Sequence, residues 1–346
     1  MTASGPYAVL LSGGLDSAVA AAELKNRVEV FGIHMKMRAE DSRDSETAAM
    51  TASSLGIELI EIDCTDLFEE EIIRPFVRAY LAGTTPSPCV NCNRTVKFGH
   101  GLEKAVEHGA SRIASGHYAR IRRDQEGRAR IETAMDRQKD QSYFLSRINP
   151  GMLENIEFPL GSYTYSQVRQ KASELELPCI DRKSSVEICF ASRDGSYDDI
   201  LESWPGFEPR PGKIVDSNSK VLGDHAGIHL FTIGQRRGLD IGGTADRLYV
   251  TAIYPQTAEI VVGPRHELER GRMQVRDVAW HIEPPDDEFS CTVQIRSLHE
   301  PAAACVKVES DQAVVNFIKP QTAVTPGQAA VFRQDGLVLG SGWICR

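Results

Sequence analysis

The order of apolar segments most limits what this chain can fold into, because it changes from one pattern to another near residue 205. In the first 120 residues, short apolar runs alternate with segments of helical periodicity. Strands that alternate with helices are typical of βαβ units, which build a parallel sheet. The predicted strands are Tyr7–Leu11, Val28–Met35, Glu58–Asp63 and Arg112–Gly116, and the predicted helical stretches are Ala18–Asn26, Ser45–Leu55, Arg94–His108 and, further on, Gly151–Leu177.

After residue 205 the sequence is typical of an all-β region. Turn pairs such as Pro211-Gly212 and Pro326-Gly327 separate short runs of alternating or β-branched residues. Asp335-Gly336 lies between two such runs and predicts a type I′ hairpin. We expect the C-terminal part of this region to close as a small barrel, and the chain as a whole to be of the α/β class.

Composition excludes several classes of protein. The 346 residues are enough for two or three domains, and a hydrophobic content of 41% with a charged content of 25% is ordinary for a soluble globular protein. No apolar run approaches the roughly 20 residues of a membrane span. The first residues lack a basic region, so we expect a cytoplasmic protein without membrane partners. A net charge of −9 argues against a general nucleic-acid coat protein but allows a local basic face.

The loop Ser12-Gly13-Gly14-Leu15-Asp16-Ser17 follows the first predicted strand and precedes the first predicted helix. Backbone N–H groups at such a helix start attract phosphate, and the two glycines allow close approach of the backbone. Asp16 fits beside a phosphate only if it orients the loop or binds Mg²⁺. The loop matches neither a Walker A motif nor G-x-G-x-x-G, so a plain strand-to-helix turn is the alternative interpretation.

The segment Thr85-Pro86-Ser87-Pro88-Cys89-Val90-Asn91-Cys92-Asn93 is the first candidate for thiol chemistry. A helical pattern begins near Arg94, so we expect Cys92 at or just before a helix N-terminus, which favours the thiolate form. Asn93 would be the N-cap. Half of a structural zinc site is the alternative, but such a site needs four ligands and no second C-x-x-C occurs.

Cys189 is the second candidate, because Cys92 needs a partner for thiol exchange. Taken alone, a cysteine in a setting such as Glu187-Ile188-Cys189-Phe190-Ala191 is more often a small buried apolar residue. The remaining cysteines, which we interpret as packing residues, are Cys64, Cys179, Cys291, Cys305 and Cys345.

Several motifs occur along the chain in a fixed order. After the glycine loop come Gly116-His117-Tyr118-Ala119-Arg120, Lys139–Leu145, Ile188-Cys189-Phe190, Pro211-Gly212-Lys213-Ile214, Thr232–Leu239 and Thr325-Pro326-Gly327-Gln328. The glycine loop alone resembles the PP-loop of the ATP pyrophosphatases, which split ATP into AMP and pyrophosphate. The combined set resembles the bacterial tRNA-specific 2-thiouridylases over essentially the whole chain, and this combination is highly specific.

The resemblance implies three domains and one reaction. The domains are a PP-loop catalytic domain over residues 1–205 with a helical part over 142–205, a small β-rich central domain over 206–268, and a C-terminal β-barrel over 269–346. In the reaction, ATP adenylates the C2 oxygen of the tRNA wobble uridine, and a persulfide sulfur then displaces AMP. Cys92 resembles the nucleophile and Cys189 the carrier of the persulfide, and the two would form a transient disulfide. The implied ligands and partners are ATP, Mg²⁺, tRNA and a sulfur donor such as a cysteine desulfurase or a sulfur-relay protein.

Cys89 departs from the family pattern. Many members have aspartate there, in T-P-x-P-D-x-x-C-N, and that aspartate is credited with a catalytic role. An ordinary thiol, with a pKa near 8.5 against about 4 for aspartate, is a poorer general acid or base. Either the role is dispensable here or Cys89 does something else. One alternative is an iron–sulfur cluster held by Cys89, Cys92 and Cys189 with one open iron position.

The resemblance also assigns ligand contacts. Met35 and Gly116 end predicted strands, at the edge where ligands gather in open α/β sheets, although a core methionine is the alternative for the Met35 side chain. The implied ATP-binding residues are Leu10, Leu11, Ser12, Gly13, Gly14, Leu15, Asp16, Ser17, Met35 and Gly116. The implied tRNA-binding residues are Lys139, Asp140, Gln141, Arg236, Arg237, Arg296 and Ser297, together with Ser87, Pro88 and Cys89, which would flank the flipped base. A solvated surface is the alternative for the arginine pair and for the polar turn at 139–141.

Two other functional classes compete with tRNA thiolation. A PP-loop amide ligase or synthetase would use the same ATP loop, but it needs no paired cysteines and no RNA-binding barrel. A non-enzymatic RNA-binding protein would not need the PP-loop. Replacing Cys92 separates thiolation from an amide ligase, because only thiolation should lose its activity. Release of pyrophosphate from ATP would exclude a non-enzymatic RNA-binding protein.

Overall fold

The computed structural model describes residues 5–39, 42–180, 182, 188–190, 197–242, 247–284 and 288–345. Close contacts divide the chain into two units. The first unit contains Met1–Ile72, Cys89–Ser184 and Gln334–Leu339, and the second contains Ile73–Pro88, Ser185–Arg333 and Gly340–Arg346. Within the described ranges, no helix is long and apolar enough to cross a membrane.

A five-stranded parallel sheet is the centre of the first unit. The strands of this unit are β1 (Tyr7–Leu10), β2 (Val30–Lys36), β3 (Leu59–Asp63), β4 (Arg112–Ser115), the hairpin strands β5 (Ala119–Arg123) and β6 (Ala129–Thr133), and β7 (Ile156–Glu157). The sheet order is β3-β2-β1-β4-β7, and every neighbouring pair is parallel. All of β2 except Lys36 is buried, as expected of a strand with both faces covered.

Helices cover the sheet and connect its strands. The helices of the described chain are α1 (Leu15–Lys25), α2 (Ser42–Leu55), α3 (Thr65–Phe68), α4 (Arg74–Leu81), α5 (Pro88–Asn91), α6 (Gly101–Glu107), α7 (Ser142–Leu145), α8 (Tyr165–Glu174) and α9 (Tyr197–Glu202), with π-helical segments at Glu69–Ile73 and Cys92–His100 and 3-10 turns at Pro150–Asn155, Pro159–Ser162, Ile228–Leu230 and Arg265–Leu268. In α1, residues 18 to 22 are small or β-branched and at most 5% exposed. Small side chains let this helix lie close to the sheet, so the loop before it is rigidly supported.

The predicted strands and the first two predicted helices are confirmed, with their ends shifted by no more than three residues. The predicted helical stretch from Gly151 to Leu177 is wrong over its first half, where 3-10 turns begin at Pro150 and Pro159 and β7 joins the sheet beside β4. The helix α8 starts only after Thr164, whose side chain accepts a hydrogen bond from the backbone of Gln167. Pairing with β4 is a long-range contact that helical periodicity does not reveal.

The second unit contains a small four-stranded sheet. Its strands are β8 (Gly212–Asp216), β9 (Val221–His225), β10 (Tyr249–Tyr254) and β11 (Glu259–Gly263), in the order β10-β11-β8-β9. The pair β8–β11 is parallel, and the other two pairs are antiparallel. Ile214, Val250, Ile260 and Val262 are among the buried residues that form its core. This sheet confirms the predicted β-rich central region.

A closed barrel follows the small sheet. Its strands are β12 (Glu269–Trp280), β13 (Phe289–Gln294), β14 (Ala302–Glu309), β15 (Gln312–Thr322), β16 (Ala329–Gln334) and β17 (Leu337–Ile344), in the order β12-β15-β14-β13-β16-β17, with β12 and β17 paired to close it. Asp335 and Gly336, between β16 and β17, have φ values of +50° and +81°. Two positive φ values are what a type I′ turn requires, so both the barrel and its hairpin are confirmed.

The two units do not coincide with the three predicted domains. The segment Ile73–Pro88 belongs to the second unit, and the hairpin tip Gln334–Leu339 belongs to the first, where Leu337 pairs with Glu132 of β6. The domain bounds 1–205, 206–268 and 269–346 therefore remain a proposal.

Candidate active site

The predicted phosphate loop lies at the carboxyl end of β1, in the middle of the parallel sheet. The chain passes from β1 to β2 on one side and later to β4 on the other, so the loop lies where the connections reverse direction. Gly14 is the N-cap of α1 with an extended backbone, and Ala18 N–H donates to its carbonyl (3.2 Å). The N–H groups that precede Ala18 lie outside the helical ladder, an arrangement that binds phosphate.

Ser17 shapes this loop from within. Its Oγ donates to the Gly14 carbonyl (2.8 Å) and accepts from the Ser12 backbone N–H (3.2 Å). Ser17 is 6% exposed, whereas Ser12 is exposed, with its Oγ 3.3 Å from Ser17 Oγ. The two predicted serines therefore have different positions: Ser17 supports the loop, and Ser12 presents its hydroxyl at the surface.

Arg182 also contacts the loop, a contact that no pattern in the sequence indicates. One guanidinium nitrogen donates to the Gly13 carbonyl (2.7 Å), and the other bonds Asp44 Oδ1 of α2 (2.5 Å). Gly13 has a φ of +72°, and a Cβ there would lie 2.7 Å from the Asp44 carbonyl oxygen. Only glycine fits this position without displacing α2. Arg182 could not be predicted because it lies 169 residues from the loop in the chain.

Asp16 lies half-buried in the first turn of α1. The Tyr118 hydroxyl donates to Asp16 Oδ1 (3.0 Å). Burial raises the pKa of Asp16, while the Tyr118 bond and the nearby charge of Lys139 lower it in part. Lys139 itself lies with its Nζ 4.0 Å from the centre of the Tyr165 ring. The Asp16 carboxylate thus lies beside the predicted phosphate loop although burial disfavours its negative charge. A bound cation would offset this cost, so the position suits a carboxylate that binds a cation.

Gly116 follows β4 and meets the first turn of α1. A Cβ at this position would lie 2.5 Å from the Asp16 carbonyl carbon and 2.6 Å from the Ser17 nitrogen. The predicted site residue is therefore a close-approach glycine that brings the ends of β4 and β1 together. Its presence sets the distance between the loop and the next strand.

His117 follows directly and belongs to an apolar environment. Its ring lies 5.8 Å from that of Phe98 and 6.2 Å from that of Phe158, and Ser115 Oγ lies 2.8 Å from its Nδ1. Burial lowers the pKa of His117 well below its usual value, so the ring is neutral at pH 7. The structure favours a packing role over an acid–base role for this residue.

The side chains of the apolar residues assigned to ATP belong to the core. Leu10, Leu11 and Leu15 are at most 9% exposed. Met35 is 8% exposed, and its Sδ lies against Gly101. Any contact between these residues and a nucleotide would come from their backbone, and for Met35 the core interpretation of the side chain is supported.

The predicted position of Cys92 at a helix N-terminus is wrong. The helix begins at Pro88 and continues through α5 and the π-helical segment Cys92–His100 into α6. Proline suits the first helical position because its φ is already helical and it has no N–H to leave unpaired. Cys89 consequently lies in the first turn, whereas Cys92 lies beyond it and is 7% exposed.

Asn93 is likewise not an N-cap. It lies inside the π-helical segment, where its Nδ2 donates to the Phe144 carbonyl (3.1 Å). Its Oδ1 is buried, and no hydrogen-bond partner for it occurs among the described residues. π-Helical segments are rare and occur frequently at functional sites, which is consistent with Cys92, at the start of this nine-residue segment, as a reacting residue.

The other candidate cysteines differ in exposure. Cys89 is half-buried, after the buried Ser87 and Pro88, and Cys189 is exposed in the second unit. Next to it, Phe190 packs edge-on against Phe76, with ring centres 5.1 Å apart. An exposed cysteine beside a buried aromatic anchor can meet an external sulfur donor.

Three cysteines fit the packing interpretation. Cys64, Cys179 and Cys291 are buried, and burial raises their pKa values, to about 11 for Cys64 and about 12 for Cys291. Cys305 and Cys345 are half-buried. Among the described residues, no group of three or more His, Cys, Asp or Glu side chains could hold a metal ion.

The polar turn assigned to tRNA is engaged in the fold. Asp140 Oδ2 accepts from Ser142 Oγ (2.7 Å), and Gln141 Oε1 accepts from the Tyr118 backbone N–H (2.9 Å). Gln141 therefore supports the residue that bonds Asp16. A contact between this turn and tRNA stays a prediction, and the structure adds a supporting role for the ATP loop.

Arg236 and Arg237 are exposed on a tightly constrained turn. Gln235 Nε2 donates to the Arg237 carbonyl (3.1 Å), and Gly234 and Gly238 have φ values of +90° and +71°. The turn presents two guanidinium groups at the surface. That geometry suits phosphate binding, and a contact with tRNA stays a prediction.

Arg296 and Ser297 lie in the loop after β13 of the barrel. Arg296 is exposed and donates to the Thr322 carbonyl (3.1 Å), and the Ser297 carbonyl accepts from Gln294 Nε2 (2.9 Å). Leu298, which follows them, is 91% exposed. The pair is accessible, and its contact with tRNA stays a prediction.

Comparison with known proteins covers the whole chain. Family models described as tRNA methyl transferase HUP domain, tRNA methyl transferase PRC-barrel domain and Aminomethyltransferase beta-barrel domain match residues 7–193, 205–264 and 270–344. The tRNA-specific 2-thiouridylase MnmA of Chloroflexus aurantiacus strain J-10-fl is 41% identical over 98% of this chain and 98% of its own. The proteins of that name from Thermotoga maritima and from Acidithiobacillus ferrooxidans strain BNL-5-31 are each 38% identical and cover 97% of this chain, and 98% and 97% of their own.

Two of the solved structures that match this chain resemble it only remotely. An NMN synthetase from Francisella tularensis is 17% identical, covers 58% of this chain and 76% of its own, and has a TM-score of 0.35. The U34-tRNA thiolase NcsA from Methanococcus maripaludis with its [4Fe-4S] cluster is 16% identical, covers 57% and 64%, and has a TM-score of 0.33. Similarity at this level supports no functional statement.

We expect Gly116→Ala to destabilise the protein by about 1–3 kcal/mol, because the new methyl group would overlap the first turn of α1. Gly271→Ala is the matched control, since a Cβ there meets nothing within 4 Å. Urea unfolding of the two variants measures the difference. Equal unfolding midpoints would show that β4 and α1 are not held at this distance.

Proposed function

The chain belongs to the tRNA-specific 2-thiouridylase family and is a tRNA-uridine 2-sulfurtransferase that acts on the wobble uridine, and we propose that it activates the base with ATP and takes the sulfur from a cysteine persulfide. The observation that carries the mechanism is that the phosphate-binding loop and the Cys89–Cys92 helix belong to one unit. Two of the three family models carry the name of a tRNA methyl transferase, whereas the relatives that match nearly the whole chain are named tRNA-specific 2-thiouridylases. An ATP loop and paired cysteines fit sulfur transfer.

In the first step, the C2 oxygen of the uridine attacks the α-phosphorus of ATP. The bond between the α-phosphorus and the bridging oxygen breaks, and pyrophosphate leaves with that electron pair. The backbone N–H groups at the start of α1 bind the phosphates, and the Ser12 hydroxyl adds a donor at the exposed edge of the loop. Arg182 and Gly116 hold the loop in shape rather than touch the nucleotide.

The residues present fit a Mg²⁺ ion bound with ATP. Asp16 offers a carboxylate whose charge is disfavoured by burial and only in part offset by Lys139. Bound there, Mg²⁺ would offset the negative charge of the phosphates and of Asp16. Tyr118 orients the carboxylate by donating to its Oδ1.

In the second step, the terminal sulfur of the Cys189 persulfide attacks C2 of the adenylated base, the C2–O bond breaks, and AMP leaves. The Cys92 thiolate then attacks Cys189 Sγ. The bond between the two sulfurs of the persulfide breaks, and its electron pair stays on the sulfur now attached to C2. The products are 2-thiouridine and a Cys92–Cys189 disulfide, which an external dithiol reduces before the next turnover.

Two partners complete the proposal. A sulfur donor, such as a cysteine desulfurase or a sulfur-relay protein, reaches the exposed Cys189 and leaves the persulfide there. The tRNA binds through the arginine pair 236–237, the barrel residues Arg296 and Ser297, and the turn at 139–141, with Ser87, Pro88 and Cys89 beside the flipped base. The alternative in which Cys89, Cys92 and Cys189 ligate an iron–sulfur cluster is kept as an outcome of the cysteine experiment below.

We expect Asp16→Asn to abolish adenylation while it preserves or raises stability. Burial raises the pKa of Asp16, so its ionised form costs folding free energy at neutral pH, and the neutral amide removes that cost. The amide oxygen of the new side chain still accepts from the Tyr118 hydroxyl, so the loop keeps its shape. Pyrophosphate release, filter binding of tRNA and thermal unfolding measure the three properties. A loss of tRNA affinity equal to the loss of adenylation would contradict the separation of the two sites, and Ser12→Ala should show the same separation.

The double variant Arg236→Ala/Arg237→Ala should weaken tRNA binding and flatten its salt dependence. Each lost phosphate contact lowers the slope of log affinity against log salt by about 0.7 to 0.9. Arg265→Ala, at another exposed arginine of the second unit, is the control. If the double variant keeps the wild-type slope, the two arginines are solvated surface residues.

The cysteine variants decide between the persulfide and the cluster. Under the persulfide mechanism, Cys92→Ser and Cys189→Ser abolish thiolation with ATP and tRNA still bound, and Cys89→Ser keeps substantial activity. Cys305→Ser, at a half-buried barrel cysteine, controls for general damage.

Under the cluster alternative, the substitutions of Cys89, Cys92 and Cys189 all abolish activity, and each removes iron from a protein that otherwise holds about four irons per chain. Iron and acid-labile sulfide in anaerobically purified protein, measured beside single-turnover thiolation, distinguish the two. A Cys92→Ser enzyme that still consumes ATP through many turnovers at the wild-type rate would show that completing the reaction does not require Cys92, as in an amide ligase.

A further inference from the structure

The turn Thr325-Pro326-Gly327-Gln328 has no part in the chemistry described above. It lies between β15 and β16, and within the second unit it contacts the segment Thr84–Pro86. The Thr85 N–H donates to the Pro326 carbonyl (3.0 Å). In the other direction, Gln328 Nε2 donates to the carbonyls of Thr85 (3.0 Å) and Pro86 (3.1 Å). One side-chain amide thus bonds two successive carbonyls of the segment that leads into α5.

Gly327 brings the turn this close. Its φ is +92°, and a Cβ there would lie 2.9 Å from the Thr85 carbonyl oxygen and 3.2 Å from Thr84 Cβ. The turn is itself anchored to the last strand, because Gly327 N–H donates to the Ile344 carbonyl (3.0 Å) and Ile344 N–H donates to the Gln328 carbonyl (2.9 Å). The turn that contacts Thr84–Pro86 is therefore fixed by backbone hydrogen bonds to the end of β17.

The segment that the turn contacts has few backbone N–H groups that could form hydrogen bonds. Pro86 and Pro88 have no N–H, so their stretch can be fixed mainly through carbonyl oxygens. A carbonyl needs a donor, and a glutamine amide supplies two N–H donors without introducing a charge. Directly after this stretch come the buried Ser87 and the first turn of the helix that carries Cys89 and Cys92.

We propose that Gln328 is a positioning residue for the thiolation site. By holding the carbonyls of Thr85 and Pro86 it fixes the entry into α5, and with it the placement of Ser87 and the two helix cysteines. The barrel then does more than offer a surface for RNA, because its turn sets where the cysteine helix begins. The hydrogen bonds of Gln328 to Thr85 and Pro86 are observed in the structure. The assignment of Ser87, Cys89 and Cys92 to the thiolation site rests on the proposed function.

Gln328→Met tests the proposal, since methionine has a similar length and no donor. Native alkylation by iodoacetamide, followed by mass spectrometry without ATP or tRNA, reads the placement of the helix cysteines directly. We expect Cys89 and Cys92 to react about tenfold faster than in the wild type, because the entry to their helix opens locally. Cys291, buried in the barrel, should keep its rate, and so should all three in Gln312→Met, a change at an exposed glutamine of β15. Unchanged rates at Cys89 and Cys92 overturn the proposal.

Single-turnover thiolation gives the second readout. With Cys189 first loaded as the persulfide by a cysteine desulfurase, and with saturating ATP and tRNA, the rate in Gln328→Met should fall about tenfold or more, because small displacements of reacting groups are costly, while the Kd for tRNA stays within about twofold. A rise in Kd that accounts for the whole loss would mean that Gln328 acts on RNA binding, which overturns the positioning role. Absence of thiolation in the wild type would contradict the proposed function. The positioning role of Gln328 would then be tested by the alkylation rates of Cys89 and Cys92 alone.

Gln328→Glu serves where the methionine variant fails to fold. It keeps size and polarity but, ionised, has no donor for the two carbonyls. It should show the same selective reaction of Cys89 and Cys92 at pH 8, and the excess over the wild type should shrink at low pH, where a protonated carboxyl can donate again. If Cys291 accelerates together with Cys89 and Cys92 in both variants, Gln328 only stabilises the barrel and the proposal is wrong.

Discussion

The close approach of β4 to the first turn of α1 is the contact on which the ATP site depends. Gly116 allows the end of one strand to lie against the backbone of Asp16 and Ser17, at a distance no side chain permits. That backbone carries the N–H groups that we propose to bind phosphate, and the residues after Gly116 lead to Tyr118, which orients Asp16. The loop is held a second time by Arg182, through the Gly13 carbonyl and Asp44. The anion site is therefore built almost wholly from backbone, and its side chains serve to fix that backbone.

The segment that leads into the cysteine helix is held, within the second unit, by a different kind of contact. This segment is a proline-rich stretch that cannot form a regular hydrogen-bonded element, so its position depends on donors from elsewhere. The barrel turn at Gln328 supplies them. Pro88 then starts the helix, and the π-helical segment places Cys92 inside it with a buried side chain. In the proposed mechanism this burial protects the Cys92 thiol from oxidants in the solvent, whereas Cys189 is exposed and can meet a donor protein.

Local patterns were enough to predict the parallel sheet, the central β region, the barrel and the Asp335-Gly336 hairpin, since each rests on periodicity or on turn chemistry within a few residues. The errors lie where a distant partner decides. Ile156 and Glu157 became a strand because β4 was there to pair with, and the cysteine helix started at Pro88 and not near Arg94. Arg182, Tyr118 and Gln328 were missed as supports of the site for the same reason, because each reaches its partner across more than 100 residues of chain.

The helix start at Pro88 changes the meaning of the cysteine at position 89. A residue in the first helical turn lies where a negative charge is stabilised by the backbone dipole, and an aspartate, as in many members of the family, would carry that charge. A thiolate at Cys89 has the same sign of charge at the same place. An ordinary thiol is a weaker acid than an ordinary carboxyl group, so the substitution puts a weaker acid at the same place in the helix. Cys89 also supplies a sulfur nucleophile one helical turn from Cys92, which a carboxylate does not. Position 89 can therefore change its chemistry while the backbone of the helix stays the same.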